Sequence, residues 1–212
     1  MSKFQELSSL IWSVADDVLR GLFKPHEYGD VILPFVILRR LDCVIESRKD
    51  EIYTLFPSPV IRYRIKAEFY NTSKYDLSRL KQDPKNVYIN FRNYINGFSK
   101  NVYDIIENFQ LDKPVEKLHK NNRLFLLVEK FSSVDLIPDV VDNHAMGQIF
   151  EVLLRKFSEM SNETSGEHYE NKIYGQELNP QTYSICKSDL LISGENPDHI
   201  RLGSNYFKIF CY

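Results

Sequence analysis

Cysteine is scarce in this chain, with three residues in 212, at positions 43, 186 and 211. They lie far apart, form no CxxC pair and have no metal-ligand spacing. A disulfide framework and a zinc knuckle are therefore excluded, and reduced thiols in a cytosol are the expectation. Glycine is scarce too. The eight residues (21, 29, 97, 147, 166, 175, 194 and 203) are scattered, and no two stand close enough to build a glycine-rich nucleotide turn. Positive charge is not in excess: 27 basic residues stand against 29 acidic ones, a formal charge of −2. Nucleic acid is not held by bulk electrostatics, so any contact must be local or shared with a more basic partner. The longest apolar run, Val31 to Leu38, is too short to cross a bilayer, and Met1 to Glu6 lacks the apolar stretch of a signal peptide. A soluble, cytoplasmic protein without membrane contact is expected.

What is present is ordinary globular composition, 43% hydrophobic and 26% charged, with helical periodicity through most of the chain. Phe4, Leu7, Leu10/Ile11, Val14 and Val18 form the stripe of an amphipathic helix, ended by Gly21 and Lys24-Pro25. Tyr28 to about Ile45 is apolar nearly all round, which predicts a helix buried on most sides and kinked at Pro34. Pro57-Ser58-Pro59 predicts a rigid loop. Phe91, Tyr94/Ile95, Phe98, Val102, Ile105/Ile106 and Phe109 predict a helix pair broken at Gly97, with Ser99 capping the second. Asp112-Lys113-Pro114 reads as a stop, Leu124 to Phe131 as a short helix, and Leu136-Ile137-Pro138 as a break. Met146, Ile149/Phe150, Leu153/Leu154, Phe157 and Met160 then mark the clearest helix.

Ser161 to Glu170 is polar and reads as a linker, after which the pattern changes. Lys172 to Glu177 predicts a strand ending in an acid. Asn179-Pro180 is a strong helix start, a capping side chain followed by proline at the first helical position. That helix should run to about Ile192 and stop at Gly194, with Ile200 to Leu202 as a second strand. The predicted fold is mainly α. A helical domain over residues 1–165 precedes a short α/β piece over 166–212, whose strand edges would be uncovered if it stood alone.

Four stretches carry a resemblance. They are Tyr28-Gly29-Asp30-Val31-Ile32-Leu33-Pro34-Phe35 with Leu38-Arg39-Arg40-Leu41-Asp42; Asn90-Phe91, Tyr94-Ile95 and Gly97-Phe98-Ser99; Met146-Gly147-Gln148-Ile149-Phe150-Glu151 with Leu154-Arg155-Lys156-Phe157 and Gly166-Glu167-His168-Tyr169; and Tyr174-Gly175-Gln176-Glu177-Leu178-Asn179-Pro180 with Thr182-Tyr183 and Ile185-Cys186-Lys187. In this order they resemble the modification subunit of type I restriction–modification systems, an adenine-N6 DNA methyltransferase family. The resemblance implies a helical N-terminal domain followed by a Rossmann-like domain that uses S-adenosylmethionine. It also implies partnership with specificity and restriction subunits, and DNA contact through their complex.

Two departures bear on activity. In the family the Gly-Glu-His-Tyr loop leads through Thr-Pro-Arg and a helix to a strand with a glycine-rich cofactor turn, whereas here Tyr169 runs directly into Glu170-Asn171-Lys172. The family's Asn-Pro-Pro-aromatic loop, whose carbonyls polarise the flipped adenine's amine, is also absent: Asn179-Pro180 and Asn196-Pro197 are followed by Gln181 and Asp198. A truncated, internally deleted copy without catalytic residues is expected, one that neither binds the cofactor well nor methylates alone. The alternative is a non-enzymatic helical module that docks on a specificity subunit or on a full-length modification subunit.

The resemblance places Glu177 on the cofactor's ribose hydroxyls and Glu167, His168 and Tyr169 beside its pocket. Arg39, Arg40, Lys117, Lys120 and Arg123 are the candidates for DNA phosphates, although each taken alone also fits a charged helix flank or loop; the resemblance, whose helical domain helps enclose DNA, adds to the case. His26, His119, His144 and His199 lack metal-ligand spacing, so no metal is expected. Pro138-Asp139 with Glu170-Asn171-Lys172 is superficially similar to a metal-dependent nuclease pattern, but the aspartate opens a helical region instead of ending a strand.

Overall fold

The computed structural model describes residues 3–55, 69–161 and 175–203. Helix α1 (Lys3–Val14) runs into a π-helical turn (Ala15–Leu19), closed by the Arg20 N–H on the Ala15 carbonyl at 2.9 Å. Helix α2 (Tyr28–Ile45) follows. Of its 18 residues 15 are buried, which makes it the axis of the molecule, as its all-round apolar sequence predicts. The helix continues through Pro34. Next come α3 (Lys49–Leu55) and the single turn α4 (Leu77–Leu80), whose N-terminus is capped by Asp76 accepting from Arg79 N at 2.8 Å.

The aromatic stripe forms α5 (Val87–Asn96) and α6 (Lys100–Asn108), and the break falls at Gly97 as expected. Ser99 does sit at the cap position, but its hydroxyl accepts from Tyr70 N (3.3 Å) and donates to Asn101 Oδ1 (2.7 Å), so it makes no cap bond to α6. Phe91 stacks on Phe35 of α2 with centroids 5.4 Å apart and planes 13° from parallel, and Phe131 meets Phe35 at 5.4 Å with its ring tilted by 41°. Such ring pairs add about 0.5–1.5 kcal/mol beyond their buried area.

The expected stop at Asp112-Lys113-Pro114 is corrected by the structure. These residues are the first turn of α7 (Asp112–Lys120). Proline is tolerated there because the first-turn N–H groups have no partner inside the helix. Only Val115 and Leu118 of α7 are buried, too sparse a stripe to announce a helix. Helices α8 (Leu124–Ser132) and α9 (Asn143–Ser161) agree with the sequence, and Met146, Ile149, Phe150, Leu153 and Phe157 are buried on one face of α9.

The C-terminal elements agree where described, Lys172 to Tyr174 of the expected first strand lying outside the described residues. Strand β1 (Gly175–Glu177) pairs in parallel with β2 (Ile200–Leu202), Glu177 opposite Leu202, and α10 (Pro180–Ile192) connects them. Asn179 caps α10, its Oδ1 accepting from Gln181 N (2.8 Å) and Thr182 N (3.3 Å). A parallel strand–helix–strand unit is shared by many α/β folds and by itself names no family.

Helices α4, α8, α9 and α10 all pack on α2. The division expected at residue 165 falls outside the described residues. On both sides of it one core continues, since Leu191 and Ile192 of α10 join the cluster built around α2. The unit is thus covered on the side of α10, while Leu178 and Leu202 at its strand ends stay exposed. Pro57-Ser58-Pro59 and the Ser161–Glu170 linker (beyond Ser161 itself) also fall outside the described residues. Among the described residues no helix is long and apolar enough to cross a membrane.

Candidate functional site

Glu177 ends β1, and the chain turns at once into α10. Its Oε1 accepts from Leu178 N (2.7 Å) and Asn179 N (2.9 Å), while its carbonyl accepts from Gly203 N (3.0 Å). The carboxylate therefore braces the turn that Asn179 then caps, and both of these bonds fall on one oxygen. Glu167, His168 and Tyr169 lie outside the described residues. Of the expected cofactor set only Glu177 lies among the described residues, and its Oε1 is committed to the turn that begins α10.

The five basic candidates divide sharply. Arg40 is fully buried: Nη1 donates to the carbonyls of Leu136 (2.6 Å) and Val141 (2.7 Å), and Nη2 to Asn143 Oδ1 (2.8 Å). It clamps the loop before α9 onto α2 and is out of reach of a phosphate, so for this residue the expectation is corrected. Arg39 is half-buried and donates from Nε to the Val134 carbonyl at 2.6 Å. Arg123 donates to the carbonyls of Val18 (2.7 Å) and Arg20 (2.9 Å), closing the end of the π-helical turn. Lys117 lies with Nζ 4.2 Å from the Phe23 ring centroid, and exposed Lys120 pairs with Glu116 at 2.6 Å. Arg39, Arg40 and Arg123 are thus engaged in holding the chain to itself, and the structure does not gather the five into one patch.

A second polar cluster was not anticipated. Asp42, buried in α2, accepts from Leu77 N through Oδ2 (2.9 Å) and from Tyr94 Oη through Oδ1 (2.9 Å), tying α2 to α4 and α5. Burial pushes its carboxyl up to about 7 against the pull of the Leu77 bond, and the nearby Asp76 charge adds to the rise. Buried Lys49 has no hydrogen-bond partner for Nζ, and burial brings its ammonium down to about 8, partly offset by Asp42. Burial first, then Asp42, raises the Tyr94 hydroxyl well above its ordinary range. The cluster is closed to solvent and acts as a tether. A signal for it was present: Arg40 and Asp42 are charges set inside a helix whose other faces are all apolar.

Burial raises the thiols of Cys43 and Cys186 above their ordinary value, the latter further through Glu177, which favours the protonated thiol at both. No group of three His, Cys, Asp or Glu among the described residues is placed to hold a metal ion. A cleft of about 290 Å³ opens where α7 faces the start of α10, with Asp30, Lys113, Lys117 and Gln181 in its walls.

Comparison with known proteins now bears on this geometry. The family described as HsdM N-terminal domain matches residues 7–131, more than half of the chain and all of it from α1 into α8. The methylase subunit of the type I restriction enzyme MjaIX from Methanocaldococcus jannaschii is 22% identical, over 95% of this chain and 48% of its own length. The chain thus spans about half the length of this curated relative. The alignment is longer than the chain, 274 positions against 212 residues, so it crosses stretches of the relative that have no counterpart here.

Proposed function

Because the chain belongs to the HsdM N-terminal domain family, we propose that it is the helical body of a type I modification subunit and that its work is docking. The occupants would be a specificity subunit and, through that assembly, a restriction subunit and DNA. The observation that carries the reading is where the family match lies. It covers α2 with α4 and most of α8 packed on it, and the buried charges Arg40 and Asp42 of that region bind the fold together.

Complete members of the family methylate adenine N6 with S-adenosylmethionine. On this reading the 212 residues alone bind that cofactor weakly and transfer no methyl group, which is supported by a sequence without a glycine-rich turn or an Asn-Pro-Pro-aromatic loop. A Rossmann-type origin for the β1–α10–β2 unit belongs to the same proposal and rests on its parallel order and its terminal acid. Of the basic candidates, Lys117 and Lys120 remain for phosphate contact. Replacing both with alanine should flatten the salt dependence of DNA binding by the assembled complex.

Calorimetric titration of the full chain with S-adenosylmethionine is the direct test of the missing cofactor site, and saturable micromolar binding would overturn it. Co-purification with a cognate specificity subunit tests the docking role. A second reading, in which the chain competes with a full-length modification subunit for that place, draws on the gaps in the alignment with the longer relative. It predicts that added chain lowers the methylation rate of the complete complex in proportion to its occupancy.

A further inference from the structure

Helix α10 is seated unevenly along its length. At its C-terminal end Leu191 and Ile192 are buried in the common core. Ser193 then reaches Gly147 of α9 so closely that a Cβ at 147 would lie 2.7 Å from the serine Oγ. Gly194, at φ +75°, lies against the Asn143 amide, and Asn143 is itself held by the buried Arg40 at 2.8 Å. That end is apolar, tight and anchored through Arg40 to α2.

Toward the N-terminus the seat changes character. Ser184 and Ser188 are fully buried, and neither Oγ has a hydrogen-bond partner, an arrangement that costs free energy. Buried Lys187 turns its ammonium to Asp198, 3.4 Å away within the same unit, so this pair does not tie α10 to the helical body. At the first turn an exposed bond ties α10 to α2, Gln181 Nε2 donating to Asp30 Oδ1 at 2.5 Å. Both residues of that bond line the cleft, together with Lys113 and Lys117.

We propose that the strand–helix–strand unit is a leaf hinged at the Gly147–Ser193 and Asn143–Gly194 contacts, with the Gln181–Asp30 bond as the catch at its free end. Releasing the catch widens the cleft between α7 and α10. It also carries Glu177 outward, because that carboxylate is bonded to the turn that begins α10. The inference concerns motion of the unit and does not depend on the docking role above.

Amide hydrogen exchange on the full chain tests it. A 13-residue helix frays when it loses its seat, so exchange reports seating. Gln181→Ala should speed exchange across residues 177–186 about fivefold, the equivalent of ~1 kcal/mol for one hydrogen bond. Residues 187–202 should stay within about twofold. Ser184→Ala with Ser188→Ala, added to Gln181→Ala, should slow the 177–186 stretch again by removing the unsatisfied hydroxyls. Gly147→Ala should speed both stretches while the far-ultraviolet signal of the helical body persists. Adding Ser193→Ala should restore protection, because the serine Cβ lies 3.8 Å from the new methyl. Should Gly147→Ala unfold the body, the Gly147→Ala/Ser193→Ala pair against Ser193→Ala alone supplies the hinge comparison. If Gln181→Ala changes neither stretch, or speeds both equally, the catch and hinge are overturned.

Discussion

Helices α2 and α10 both bury polar side chains, and those of α2 are the better satisfied, Arg40 Nε being the one buried polar side-chain atom of that helix without a partner. In α2 the guanidinium nitrogens Nη1 and Nη2 of Arg40 find three oxygens between Leu136 and Asn143, and the carboxylate of Asp42 takes the Leu77 N–H and the Tyr94 hydroxyl. These partners lie 35 to 103 positions along the chain. In α10 the buried hydroxyls of Ser184 and Ser188 find none. A buried polar group binds elements together only when its partner belongs to another element; without one it is a cost. The helical body is thus tied together by polar bonds between elements, while the strand–helix–strand unit packs on α6, α9 and α2 with two unsatisfied hydroxyls inside its seat.

The contrast can be broken most severely at Arg40. Arg40→Ala strips three acceptors of their donor in the interior and should cost about 3–5 kcal/mol, read as a fall in the urea midpoint. A loss below about 1 kcal/mol would mean that the loop before α9 is held by something else. Asp42→Ala should come next, at about 2–4 kcal/mol, because the Leu77 N–H and the Tyr94 hydroxyl lose their acceptor.

Asp42 also sets a pH dependence. Its carboxyl is raised from 3.8 to about 7 in the fold, so between these values the folded chain keeps a proton that the unfolded chain has released. Its stabilising contribution is full below about pH 4 and is lost as pH rises to about 7. Lys49, lowered to about 8 from 10.5, acts on the other side: its contribution is full above 10.5 and is lost as pH falls through 8. Denaturation midpoints measured across pH 4 to 7 should therefore decline in the native chain and flatten in Asp42→Asn. An unchanged slope would show that the buried carboxylate is not the titrating group.

Smaller effects sharpen the other half of the comparison. Ser184→Ala or Ser188→Ala should stabilise the chain by about 1 kcal/mol, since each removes a buried hydroxyl without a partner; destabilisation would mean that the hydroxyls are satisfied in solution. Leu178→Lys should move the midpoint by no more than about 0.5 kcal/mol, because that side chain is 65% exposed. A large loss would reveal that the strand ends are covered.

Several elements could be read directly from the residues. Asn179-Pro180 announced the start of α10 because a capping side chain and a proline act within their own turn. The face of α9 followed from simple periodicity, and the strands on either side of α10 from their short runs and terminal acid. Helix α7 was missed because its two buried residues make no stripe and its proline looked like a terminator. Arg40 was harder to place: its setting in an apolar helix hinted at burial, but nothing nearby in the chain shows that its donors reach Leu136, Val141 and Asn143.

The residues alone therefore determined the local events, helix starts, apolar faces and turn chemistry, together with the family that their order resembles. Caps and stripes act over one to four residues, so a linear reading captures them. The tertiary structure alone decided which charges are available. That choice depends on burial and on partners such as Val134, Leu136 and Val141, which stand 95 to 101 positions from the arginines they meet. Only packing brings such groups within 3 Å, and only packing removes the water that would otherwise have taken their place.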